Sequence, residues 1–296
     1  MRPADQPLLA TVTDGQLGGN TMSAEPGRSL GRAWLARLDP RTQLERLGLL
    51  VVVLILWNSA VERGWVESIY AATPAQTVSS LVAFLGDEQF WTDLTVTLGE
   101  ALGGWAIGAP AGLFAGLLLG RWSHARKVLG PYLTFVNALP KIALAPVIIL
   151  WFGIGMTSKV ALAALVVFFI AQVPTTSAVA LTNPDLDTVA TTLGATEVEK
   201  YFKVYLPGIL AAVFGALRLG AVYALLAVVF GEFLAAREGL GQRLIAATNQ
   251  FNMADAFALM IVLALLALTI NGGIGLIERR LLRWQDSSAH GSVLSP

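Results

Sequence analysis

Apolar residues in this chain come in six blocks, each closed by charged or turn-forming residues, and the spacing predicts helices that cross a membrane. The blocks run approximately 44–63, 94–119, 129–152, 158–180, 208–234 and 255–277. A helix needs about 20 predominantly apolar residues to cover the hydrocarbon core, and each block approaches or reaches that length. The first has the shortest fully apolar part, with Asn58, Glu62 and Arg63 closing it. Between the first two blocks, Pro74 to Leu85 predicts a short amphipathic helix at the interface, opened by Thr73-Pro74. The pattern predicts an all-α, polytopic membrane protein with about six transmembrane helices.

The third block is broken. Pro131, Pro140 and Pro146 cannot all sit inside one regular helix, because each removes a backbone donor and clashes with the preceding turn. Non-helical backbone at membrane depth is tolerated only where protein buries it or where it lines a wet cavity. Asn137 and Lys141 flank this break and are candidate pore or gate residues, together with Glu100 and Glu232. An intramembrane ammonium is expensive without a partner. Lys141 therefore either pairs with a carboxylate such as Glu100 or Glu232, reaches an aqueous vestibule, or contacts a solute. The plainer reading of Glu232 is a carboxylate that meets water at the outer end of its helix and bonds the following loop. Arg218 reads as structural, with a stem long enough to reach the surface. Gly104, Gly108, Gly112, Gly116 and Gly120 place one glycine per turn on a single helix face. That row predicts very close helix packing, within one protomer or across a dimer.

Composition agrees with the pattern. The 296 residues are 55% hydrophobic and 14% charged, with a mean hydropathy of +0.65, too apolar for an ordinary water-soluble domain. There is no cysteine and there are two histidines, His124 and His290, so disulfides and Cys or His metal centres lack material. No metal site, bound cofactor or catalytic residue is predicted, and no Walker motif or triad spacing occurs. The chain reads as a protein that does not itself hydrolyse ATP. Residues 1–43 predict a disordered extension and 285–296 a polar tail, leaving 44–284 as the membrane domain. No apolar core with a small-residue cleavage site lies near Met1, so a signal peptide is not expected. Basic residues set the orientation. Six spans put both termini on one side with Arg121, Arg126, Lys127, Lys200, Lys203, Arg279, Arg280 and Arg283, whereas the other side receives Arg63, Lys159, Arg237 and Arg243. Both termini, and the polar island at 181–207, are thereby expected in the cytoplasm.

That island contains two helix-compatible pieces around Gly194. A first helix is expected from Pro184, with Asn183 as N-cap, to about Leu193-Gly194. A second, from Thr196, would place Val198, Phe202 and Tyr205 on one face and pair Glu199 with Lys203 on the other. Amphipathicity alone fits a linker lying against the membrane. The spacing points elsewhere. Thr188-Val189-Ala190, Gly194, Val204 and Leu206-Pro207 carry the intervals of the Glu-Ala-Ala, Gly, Ile, Leu-Pro loop of ATP-binding-cassette importer permeases, with Thr188 in place of the acidic residue. From about residue 45 the chain resembles those permeases. Leu144 to Lys159, Glu232 with Gly239-Leu240-Gly241, and Ile277 to Trp284 are similar to their nitrate, sulfonate and taurine branch.

The resemblance implies a type I importer fold and a homodimer of two permease copies. It implies an ATPase-coupling loop containing Thr188, Ala190, Leu193, Gly194, Ala195, Glu197, Val204, Leu206 and Pro207. Two cytoplasmic subunits would bind ATP and magnesium, and a periplasmic or lipid-anchored binding protein would deliver a small solute, such as nitrate, a sulfonate, taurine or a related organic. The setting implied is the bacterial inner membrane, with no nucleic-acid partner. An ion-coupled secondary transporter or a membrane scaffold is the rival reading. The former would more often show an inverted repeat, and the two halves here show no self-similarity.

Overall fold

The computed structural model describes residues 40–67, 69–181, 184–200, 203 and 205–281. The expected N-terminal extension, except residues 40–43, and the expected C-terminal tail lie outside them, as do Asn183, Phe202, Val204, Arg283 and Trp284. Among the described residues the chain is helical and contains no strand. The chain divides into two compact units after Ile55. Helix α1, Pro40–Glu62, takes in the last four residues of the expected extension, with proline at a first helical position where its missing N–H costs nothing.

The remaining elements are α2 (Pro74–Phe84), α3 (Glu88–Arg121), α4 (Ser123–Ala138), α5 (Ala145–Phe152), α6 (Met156–Ala180), α7 (Pro184–Thr192), α8 (Glu197–Lys200), α9 (Leu206–Ala235), α10 (Leu240–Asn249) and α11 (Met253–Leu281). Among the described residues five helices, including α1, are long and apolar enough to cross a membrane, and a sixth span arises if α4 and the segment Lys141–Phe152 count together. Helix α2 starts as expected. Thr73 Oγ1 accepts from the Gln76 amide at 3.3 Å while the Gln76 side chain accepts from the Thr73 amide at 2.9 Å, a reciprocal cap that satisfies two orphan donors.

Helices α3 and α6 make the most extensive pairing among the described residues, and the glycine row is the cause. A Cβ at Gly112 would lie 2.9 Å from Ala171 Cβ, and one at Gly116 would lie 2.6 Å from Thr175 Cβ. The close approach is thus made within one chain. Helix α9 packs across the pair, burying Ala224, Leu225, Ala227 and Val228 against Leu162, Ala163, Val166 and Val167. Trp105 of α3 donates its indole N–H to the Leu217 carbonyl of α9 at 3.0 Å. A second cluster joins Phe84, Phe90, Leu240, Leu244 and Leu259 at one end of the bundle, and a third joins Val179, Tyr205, Ile209 and Val213 at the other. Helices α7 and α8 lie at that other end, between α6 and α9.

Candidate functional site

The broken span bends by 82° between α4 and the segment Lys141–Phe152. Only one of the three prolines makes the break. Pro140 sits in the connection, followed by a 3-10 turn at Lys141–Leu144, whereas Pro131 lies inside α4 and Pro146 occupies the first turn of α5. Asn137 and Lys141 are brought together here. The Lys141 ammonium donates to the Asn137 carbonyl at 2.8 Å and lies 5.0 Å from the Phe169 ring centre. A carboxylate partner, one of the expected alternatives for Lys141, is not found among the described residues: neither Glu100 nor Glu232 pairs with it. Both residues line a groove of about 530 Å³ with Phe169 and Ile170 of α6 and Tyr223 of α9. Of the aromatic residues near the break, Trp151 and Phe152 are exposed and Phe169 is buried.

The ion pair of Glu100 is with Lys159 instead, at 2.7 Å, with side-chain exposures of 1% and 5%. The sequence had suggested Lys159 as a basic residue of the outer surface, because it stands at the very start of an apolar block. Glu100 and Lys159 line a cavity of about 630 Å³ with Thr95, Gly155 and Arg237.

Glu232 belongs to the same end of the bundle, and it too departs from expectation. It is 1% exposed, so it does not meet water, although it does bond the following turn. Its Oε2 accepts from the Gly241 amide at 2.6 Å and its Oε1 accepts from the Thr97 hydroxyl at 2.7 Å. Thr97 Oγ1 accepts in turn from the Leu240 amide, and Asp93 accepts from the Gly239 amide, both at 2.8 Å. Three successive amides at the start of α10 are therefore satisfied by side chains of α3 and α9, which answers the helix's orphan donors. Gly239 has φ +119°, and a Cβ at Gly241 would lie 2.7 Å from Glu232 Oε2. The Gly239-Leu240-Gly241 sequence is set by this carboxylate. Arg243 closes the network by pairing with Asp87 and lies 3.6 Å from Asp93. Its hydrogen bond holds the Asp87 carboxyl below the ordinary carboxylate range. Arg218 pairs with Glu278 of α11, and its side chain stays partly exposed.

At the opposite end, α7 closes on Gly194. The Gly194 amide donates to the Thr191 carbonyl at 2.9 Å, the Ala195 amide to the Ala190 carbonyl at 3.0 Å, and Gly194 has φ +79°. This is the left-handed glycine cap that ends a helix without Cβ strain. Thr196 caps α8, whose first helical residue is Glu197: Thr196 Oγ1 accepts from the Glu199 amide while Glu199 accepts from the Thr196 amide. The Glu199–Lys203 pair forms at 2.9 Å, and these bonds, the Thr196 amide foremost, hold the Glu199 carboxyl at about 2. Of the residues expected on one apolar face, Val198 is exposed and Tyr205 buried, and Phe202 lies outside the described residues. Ala190 is buried, Thr188 and Leu193 are exposed, Glu197 opens α8, and Leu206-Pro207 opens α9.

The described residues thus form a bundle of membrane-length helices with one broken span and a two-helix polar loop at one end. Residues 108–283 match the family described as binding-protein-dependent transport system inner membrane component, and the chain belongs to that family. It is 33% identical over 262 residues to the riboflavin transport system permease protein RibX of Chloroflexus aurantiacus, covering 86% of this chain and 98% of that one. It is 26% identical over 253 residues to the taurine transport system permease protein TauC of Escherichia coli, covering 83% and 90%. Among solved structures, a bacterial ABC transporter involved in the import of the acidic polysaccharide alginate shares the fold. The TM-score is 0.58 at 18% identity, over 84% of this chain and 96% of that one.

Proposed function

We propose that this chain is the permease subunit of an ATP-binding-cassette importer. In this reading two copies form the translocation path, with residues 44–284 as the permease domain. Two cytoplasmic subunits bind ATP and magnesium, and an external binding protein delivers a small solute, read as an anion. Both termini and the 181–207 loop face the cytoplasm, in keeping with the bias of Lys and Arg toward that side. The membrane is the bacterial inner membrane.

The observation that carries the reading is the loop itself. Val189, Leu193 and Val198 expose 55%, 81% and 65% of their surface on a segment held by a glycine cap and a reciprocal Thr196–Glu199 cap. Ordered helices showing apolar side chains to water fit a surface that a soluble partner covers. ATP closure of the partner pair moves this loop, and the bundle follows between two states whose populations each ligand shifts by its differential affinity.

The test is co-purification of the ATP-binding subunit with the permease carrying Leu193→Asp or Val189→Asp. Both positions are exposed, so insertion is preserved and the partner is lost. A full complement of partner in both variants refutes the docking assignment.

A further inference from the structure

The groove at the break between α4 and α5 combines one cation, two unspent polar groups and an aromatic wall. Lys141 carries three N–H donors, and one is used on the Asn137 carbonyl at 2.8 Å. Among the described residues no carboxylate lies within ion-pair distance of it, and the Asn137 amide and Tyr223 hydroxyl make no hydrogen bond. Phe169 is buried beneath the ammonium, while Tyr223 of α9 and Ile170 of α6 form walls of the same groove. Pro174, which also lines it, has no N–H to give the Ile170 carbonyl.

We propose that this groove is a solute-contact site for an organic anion, with Lys141 taking the anionic group and Phe169 and Tyr223 holding an apolar or aromatic body. The inference rests on the permease reading and names the solute class for it. The volume, about 530 Å³, lies within the ordinary range for small-molecule sites. Charge and surface together decide the class. An ammonium at membrane depth lacking a carboxylate favours an anion. A bare inorganic oxyanion, however, would surrender its hydration for a single cation and an apolar wall. An anion with a ring or chain recovers that loss through burial of its apolar body and contact with the rings.

The assembled permease–ATPase complex in phosphatidylcholine nanodiscs provides the test, with benzenesulfonate as probe and saturation-transfer NMR as readout. Benzenesulfonate binds, and equimolar sulfate does not displace it. Lys141→Met weakens binding by about tenfold or more, the scale of a charged hydrogen bond, and Lys141→Arg retains it. Tyr223→Leu weakens it while the complex keeps its thermal midpoint. Displacement by sulfate, or binding indifferent to Lys141→Met, overturns the proposal. So does loss of binding when phosphatidylglycerol is added, since the groove would then hold an anionic lipid. A complex that assembles but binds no probe refutes this inference alone, whereas failure of the ATPase subunits to associate refutes the importer reading.

Discussion

Lys159 Nζ and Glu100 Oε1 meet at 2.7 Å across 59 residues of sequence, both nearly sealed from solvent. Removing one member of a buried pair strands the other charge, at a cost of about 3–5 kcal/mol, whereas replacing both by apolar groups is often close to neutral. Lys159→Met and Glu100→Leu alone should each lower the thermal midpoint of the purified permease sharply. The double substitution should recover most of the loss. If the two single losses simply add in the double variant, the two residues do not act as a pair.

The glycine seam makes a graded prediction. Gly112→Ala puts a methyl group 2.9 Å from Ala171 Cβ, while Gly215→Ala meets nothing within 4 Å. Overpacking of this kind costs about 1–3 kcal/mol. Thermal unfolding should therefore show Gly112→Ala destabilised and Gly215→Ala unchanged or slightly stabilised.

Much of this architecture was legible in the sequence, for physical reasons that differ by element. The glycine row was readable because a four-residue interval maps onto one helix face wherever that helix sits. Thr73-Pro74 announced α2 because capping is local. The broken span could be foreseen, yet not which proline breaks it, since Pro131 and Pro146 are absorbed by helix positions that only the path of the backbone defines. Lys159 was missed because a charge at the edge of an apolar block looks like a solvated flank. Its partner sits in another helix, and no local signal joins them. For the same reason Glu232 looked wet, although Gly239-Leu240-Gly241 was visible as a motif before its carboxylate was.

Gly194 yields a functional prediction. Its left-handed φ of +79° costs a side-chain-bearing residue about 1–2 kcal/mol, although no neighbour lies within 4 Å of a Cβ there. Gly194→Val should thus insert and fold, with the loss confined to the corner between α7 and α8. ATP hydrolysis should persist while uptake falls, measured together in proteoliposomes. Uptake at the normal rate would remove this corner from the coupling path.

Glu199 sets an acid limit on the same loop. Its folded pKa, about 2, is lowered from 4.5, so its stabilising contribution is fully present above pH 4.5 and is lost as pH falls toward 2. The thermal midpoint of the native protein should exceed that of Glu199→Gln near neutrality, and the gap should close across that window. A gap that survives at pH 2 would assign the effect to something other than the carboxylate.

Helix α6 spans 25 residues, about 37 Å at the α-helical rise, with Lys159 near its start and the α7–α8 loop beyond its end. Fused to α3 along five glycines, it has no slack in which to slide. Under the proposed importer reading the pair acts as a single stiff beam, so that a push on the loop reaches the sealed charges at the far end. Spin labels on α3 and α6 should keep one separation throughout the ATP cycle. Labels on α4 and α9 should change theirs, because α4 ends at the 82° break.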